Sequence, residues 1–172
     1  MTVLKIMCGV PAAGKTTYIK NHANPSDLVV SRDEIRRSMI TPGIPYFSKD
    51  AEVFNEFCSR INAGIKKYDV IWADATHLNN TSRWKLLYNI DRFALEKIVF
   101  VCIEHPFSVY VERNNQRTGI EHVPDKALKQ MYDSYKRPSL NDFLSLNVEI
   151  EVIKWVEFYT LLLDFVLSEF SL

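Results

Sequence analysis

The sequence predicts an α/β fold: one domain built as a three-layer sandwich around a central five-stranded parallel sheet. Three observations predict it. Short β-branched and apolar runs alternate with helical stretches along the chain, the pattern of successive βαβ units. Those runs are continuously apolar, as in strands covered on both faces. Between the first run and the first helical stretch lies Gly9-Val10-Pro11-Ala12-Ala13-Gly14-Lys15-Thr16-Thr17, which fits G-x-x-x-x-G-K-[ST]. With 172 residues, 47% of them apolar, the chain can enclose one substantial core and is short for two.

The elements follow in order. Val3 to Cys8 is an apolar strand, and a helix starts at the end of the Gly9–Thr17 loop. Asp27 to Ser31 reads as a second strand, set off by the breaker Asn24-Pro25. Arg32 to Met39 reads as a helix with acids early and arginines later, as the helix dipole favours. Two prolines and a glycine keep Thr41 to Ser48 irregular. Ser48 is the expected N-cap of a helix from about Lys49 to Lys67, with Val53, Phe54, Phe57, Ile61 and Ile65 on one face. Val70 to Asp74 is a buried strand ending in an acid, Asn80 to Phe93 a helix, and Lys97 to Ile103 a fourth strand. Pro106 opens a helix to about Arg117. Gly119 interrupts it, and Val123-Pro124-Asp125 begins another that reaches about Lys136. Asn147 to Trp155 is the fifth strand, followed by a closing helix to Phe170.

In such a sheet, ligands bind at the carboxyl ends of the strands. The loop at 9–17, Arg32-Asp33 and Asp74 all fall there. Gly9 and Gly14 allow the tight turn that converges backbone N–H groups on a phosphate, and the following helix N-terminus adds its dipole. Lys15 supplies a cation for the β- and γ-phosphates of ATP, and the Thr16 hydroxyl is a ligand for Mg²⁺. Asp74 either shares that Mg²⁺ or caps the next turn. Asp33 either receives the proton of an attacking hydroxyl or pairs with Arg36 or Arg37 at helical spacing. Arg36 and Arg37 either hold an anionic acceptor or form a solvated face. Arg113 and Arg117 flank Thr118 to His122, either as arginines of a closing lid or as a charged helix end. Tyr46 and Phe47 either stack on a base or anchor the proline-rich loop. The four histidines form no ligand set.

Lys plus Arg equals Asp plus Glu at 21 each, so no global positive field advertises a polyanion; such binding must rest on a local patch. Cys8, Cys58 and Cys102 have no metal-ligand spacing, and reduced buried thiols in a cytoplasmic protein are expected. No signal-peptide pattern precedes the loop at 9–17. The closing helix is broken by acids and too short to span a membrane; its default is core packing, and its wide apolar face is a candidate homo-oligomer contact.

Four blocks, in order, resemble the 5′-kinase domain of phage-type polynucleotide kinases, within the wider group of P-loop kinase-like phosphotransferases. They are Gly9 to Thr17 including Pro11, Ser31 to Arg36, Ala73 to Asn79, and Arg113 to Arg117 with Val123 to Asp125. The similarity covers residues 1 to about 140. It implies a helical lid over about 113–125 and transfer of the ATP γ-phosphoryl group to the 5′-hydroxyl of a DNA or RNA end, a step of nucleic acid repair. It further implies Asp33 as general base, Arg36 on the acceptor's phosphate, and Arg117 on the ATP phosphates. Two departures stand out. The Asp74 block is one residue longer than the family's pattern, and no D-x-D-x-T phosphatase signature follows the lid, so a stand-alone kinase is expected. Two rivals share these motifs: a kinase of another hydroxyl acceptor, and a nucleotide-binding switch or ATPase.

Overall fold

The computed structural model describes residues 1–41, 43 and 45–154. Strands β1 (Thr2–Cys8), β2 (Leu28–Ser31), β3 (Val70–Asp74), β4 (Leu95–Glu104) and β5 (Val148–Lys154) alternate with helices α1 (Lys15–His22), α2 (Arg32–Met39), α3 (Asp50–Gly64), α4 (Asn80–Tyr88), α5 (Phe107–Asn115) and α6 (Asp125–Ser134). Every strand pairing is parallel, and the order across the sheet is β2-β3-β1-β4-β5. The predicted α/β sandwich is therefore the observed one.

Side chains leave a strand alternately on opposite faces, and the two faces carry separate cores. Leu4, Ile6, Cys8, Ile71, Ala73, Ile98, Phe100 and Cys102 pack on one face with Ile35 of α2, Phe57 and Ile61 of α3, and Leu86 and Leu87 of α4. Met7, Trp72, Val99, Val101 and Ile103 pack on the other with Ile19 of α1, Tyr110 of α5 and Leu128 of α6. Covered on both sides, the central strands need no polar face, which is why they read as nearly continuous apolar runs.

Several helix ends differ from expectation. Ser48 is not the cap of α3: Lys49 holds that position without a side-chain cap bond, and the first turn carries Asp50 and Glu52 instead. The helix stops at Gly64, and Lys66 takes a left-handed φ of 70°. The stretch predicted as one helix from Asn80 to Phe93 is two pieces. It opens on a capping box between Asn79 and Ser82 and ends at Tyr88, and a separate 3₁₀ turn covers Arg92–Ala94. Asn89 causes the break, its amide side chain donating back to the Lys85 carbonyl at 2.8 Å. Trp155, the closing helix and the oligomer contact expected of it lie outside the described residues. Among the described residues, no helix is long and apolar enough to cross a membrane.

Candidate functional site

β1 delivers the chain into the glycine-rich loop, and the loop's shape depends on both glycines. A Cβ on Gly9 would sit 2.9 Å from the Ile103 carbonyl oxygen of β4, so only glycine fits against that strand. Gly14 caps α1 at φ 96°, in the left-handed region, and Ala12 is also left-handed at φ 65°. Lys15, only 9% exposed, curls beneath the loop and donates from Nζ to the carbonyls of Gly9 (3.0 Å) and Val10 (2.9 Å). Burial pushes its ammonium down to about 8, with the charges of Asp74 and Asp33 opposing the shift and Arg117 adding to it. Lys15, Asp74 and Asp33 therefore occupy one electrostatic neighbourhood, although they come from three strand ends.

Thr16 Oγ1 donates to Asp74 Oδ2 at 3.1 Å, joining the first turn of α1 to the end of β3. Burial raises the Asp74 carboxyl above its ordinary range, against the Lys15 charge and the Thr16 bond. A hydroxyl and a carboxylate side by side at a helix N-terminus are hard oxygen donors of the kind Mg²⁺ takes alongside phosphate oxygens, so the residues present fit that ion.

The β2–α2 corner carries the second group of charges. Asp33 is exposed, and its Oδ1 accepts from Arg36 Nη1 at 2.7 Å and from the Tyr46 hydroxyl at 3.4 Å. The helical pairing foreseen for Asp33 is thus present, and it leaves Oδ2 without a bond among the described residues. Arg36 is not the open cation that the sequence suggested. It is 5% exposed, its Nη2 is taken by Asp50 Oδ1 at 2.6 Å, and its guanidinium lies 5.0 and 5.1 Å from the rings of Tyr46 and Phe47. Asp50 Oδ2 also accepts from Arg32 Nη2 at 2.8 Å, so one carboxylate ties Arg32 and Arg36 of α2 to the start of α3.

The third group comes from the 113–125 segment. Arg113 Nη1 donates to the Ala13 carbonyl at 3.1 Å, and His105 Nε2 lies 2.9 Å from the same oxygen. Beside them opens a cavity of about 420 Å³ lined by Ala13, Gly14, Tyr18, His105, Arg113 and Arg117. Arg117 thus faces the glycine-rich loop, and it also contacts the Glu121 carbonyl at 3.5 Å. The fully buried Asn114 closes the neck of the segment: its amide donates to the Val123 carbonyl at 2.8 Å and accepts from the Val123 N–H at 3.0 Å. At its tip, Glu121 pairs with Arg37 of α2 at 3.1 Å, linking this segment to the Asp33 corner.

The structure thus gathers every sequence-predicted site residue around one end of the sheet, with Arg36 enclosed rather than open. It also gives roles to residues the sequence left without one. His77, in the lengthened block after β3, is buried with φ 38° and bonds through Nδ1 to the Met7 carbonyl at 2.9 Å. Burial lowers its imidazole to about 4, so it stays neutral and structural. Its neighbour Thr76 accepts the Gly9 N–H at 2.9 Å, so the lengthened block holds the start of the glycine-rich loop. Asp50, His105 and Asn114 gain their roles from partners in other elements or loops, such as Arg32 and Arg36, Ala13, and Val123.

Solved structures share this architecture. A sugar kinase from Janibacter sp. HTCC2649 superposes with a TM-score of 0.63 at 18% identity, over 98% of this chain and 94% of that one. Kti12 of Chaetomium thermophilum in complex with ADP-AlF3 gives 0.61 at 11% identity, over 96% and 97%. A chain of the Pnkp1/Rnl/Hen1 RNA repair complex gives 0.66 at 21% identity, over 77% of this chain; the match spans 43% of that longer chain. At these identities the likeness is one of fold. The family model described as AAA domain, AAA_33, matches residues 4–138. The chain therefore belongs to the AAA_33 family of AAA domains and has a P-loop kinase-like α/β fold.

Proposed function

We propose that this chain transfers the γ-phosphoryl group of ATP to the 5′-hydroxyl of a polynucleotide end. The observation that carries the reading is Asp33. It is an exposed carboxylate, oriented through Oδ1 by Arg36 and Tyr46, open at Oδ2, and close enough to Lys15 to affect its charge. A switch that does no chemistry has no use for such a group beside its phosphate loop; transfer to a hydroxyl needs one for the acceptor's proton. The Pnkp1/Rnl/Hen1 neighbour, described as an RNA repair complex, supports a nucleic acid acceptor.

In this reading the backbone of Gly9 to Thr17 and the Lys15 ammonium hold the β- and γ-phosphates, and Lys15 exchanges its two loop carbonyls for phosphate oxygens. Thr16 and Asp74 hold Mg²⁺, which when bound screens the charge between donor and acceptor. Asp33 Oδ2 orients the 5′-hydroxyl and takes its proton as the acceptor oxygen bonds to the γ-phosphorus. The bond from that phosphorus to the β–γ bridging oxygen breaks, and ADP leaves with the electron pair. Arg117 and Arg113 line the donor side and stabilise the charge spread over the transferring group. Arg36 holds Asp33 in place, and it meets the acceptor's nearest phosphate only if that phosphate displaces part of its present set of partners.

A second reading has a specific observation behind it: the sugar kinase neighbour matches nearly the whole of both chains, which favours a small hydroxyl acceptor on the same machinery. One experiment separates the two. With Mg²⁺ and γ-labelled ATP, 5′-hydroxyl DNA and RNA oligonucleotides are offered beside their 5′-phosphorylated counterparts and a panel of sugars. Label on the 5′-hydroxyl oligonucleotides alone, with a KM that rises steeply with salt, supports the proposal. Label only on a sugar, insensitive to salt, overturns it.

A further inference from the structure

We infer that Phe47, with Tyr46 behind it, forms a stacking subsite for the base of the acceptor's terminal nucleotide. This rests on the polynucleotide reading above and names what the acceptor side recognises besides a hydroxyl and a phosphate. Phe47 is 65% exposed, in a short loop packed against a charged cluster. It is nonetheless held in place. Its ring meets Tyr46 edge-on, with centroids 4.9 Å apart and planes at 85°, and it stands 5.1 Å from the Arg36 guanidinium. The Tyr46 hydroxyl reaches Asp33 Oδ1 at 3.4 Å, so the ring pair and the acceptor carboxylate form one continuous surface.

A 5′-hydroxyl and the base of the same nucleotide hang from one ribose. With the hydroxyl on Asp33 Oδ2, the base falls beside that carboxylate, where the aromatic pair stands. A flat exposed ring accepts any base by its π-face, without hydrogen-bond readout. Arg36, lodged between the rings and Asp50, fixes the height of the platform and lends it positive charge. The arrangement selects for acceptors with an aromatic base at the end being phosphorylated, and it leaves the identity of that base open.

The test compares two 5′-hydroxyl oligonucleotides of identical length and charge, one with a normal 5′-terminal nucleotide and one with a 5′-terminal abasic residue. Both are offered to the wild type and to Phe47→Ala, Phe47→Leu and Phe47→Trp. The phosphates are the same in both acceptors, so the ratio of their KM values isolates the base. Stacking predicts that the wild type prefers the base-bearing acceptor. Phe47→Ala should raise its KM about 5- to 150-fold, with kcat and the abasic KM little changed. Phe47→Leu should fall between, and Phe47→Trp should keep the preference. Equal losses on both acceptors in Phe47→Ala and Phe47→Leu would make Phe47 a loop anchor and overturn the inference while the kinase reading stands. A wild type that is active on both acceptors without preference would overturn it in the same way. A wild type that labels neither acceptor overturns the polynucleotide reading and this inference with it.

Discussion

Asp50→Asn tests the charge cluster that holds the Asp33 corner together. The Asp50 carboxylate accepts from Arg36 at 2.6 Å and from Arg32 at 2.8 Å. Hydrogen bonds to charged groups contribute about 1.5–3 kcal/mol each, and stripping a buried ion of its partner costs about 3–5 kcal/mol. Both figures need discounting here. The Asp50 side chain is 45% exposed, Arg36 keeps Asp33 as a second partner, and asparagine still offers one acceptor. A net loss of about 1–3 kcal/mol at pH 7 remains, or a fall in Tm of about 2–10 °C for a chain of this size. The pH dependence is the sharper part. Burial alone would raise the Asp50 carboxyl, but the bond from Arg36 and the charges of Arg32 and Arg36 outweigh it and hold the group below its ordinary range. A carboxylate depressed in the folded state stabilises fully above its unfolded value near about 4, and that contribution disappears as pH falls through the lower folded value. Urea unfolding of wild type and variant at pH 7, 5, 4 and 3 should show a gap that is constant down to about pH 5 and closes below about 4. A gap as wide at pH 3 as at pH 7, or none at pH 7, would refute the reasoning.

Other expectations are simpler to state. Asp33→Asn should lower phosphoryl transfer about 10²- to 10⁴-fold with little change in ATP affinity measured by calorimetry; lost ATP binding would make Asp33 a nucleotide ligand. Because Lys15 titrates at about 8, ATP affinity should be flat near neutrality and fall above about pH 8 as the ammonium is lost. The lysine's depressed value also weakens the ligand-free fold below about pH 8, a penalty relieved between there and about 10.4, which unfolding curves of wild type and Lys15→Met would reveal. Gly9→Ala forces a methyl group to 2.9 Å from the Ile103 carbonyl, and overpacking of this kind costs about 1–3 kcal/mol; it should lower Tm and weaken ATP binding together.

What could be read from the sequence was local. The strands announce themselves because both faces of the sheet are covered, so Val3 to Cys8 carries one charged residue, Lys5, and Val70 to Asp74 is apolar up to its terminal acid. The Gly9–Thr17 loop is contiguous, and its chemistry is written in consecutive residues. Helix ends were harder. Ile90 and Phe93 continue the helical spacing past Tyr88, yet the Asn89 side chain ends α4 by bonding the Lys85 carbonyl. The supporting residues of the site were hidden for a different reason. Asp50 looks like an ordinary first-turn acid until α3 is folded against α2 and it meets two arginines. Arg36 looks open until Tyr46 and Phe47 close over it. His77 gains its meaning only from a carbonyl 70 residues earlier in the chain.

The Asn114–Val123 clasp bears on how such a chain can change over evolutionary time. Two hydrogen bonds from one buried amide hold the ends of the intervening loop together, so the entropy of closing it is largely independent of what lies between. Lengthening a closed loop costs only about 0.6 kcal/mol per doubling. Residues inserted after Gly119 should therefore be tolerated, with Arg113 and Arg117 still presented to the glycine-rich loop while the tip is rebuilt. Thermal unfolding of a variant with a short glycine–serine insertion there should show a Tm close to wild type, whereas Asn114→Ala should lower it. On the proposed reading, the tip is thus free to be retailored toward different acceptors while the Gly9–Thr17 end of the domain stays as it is.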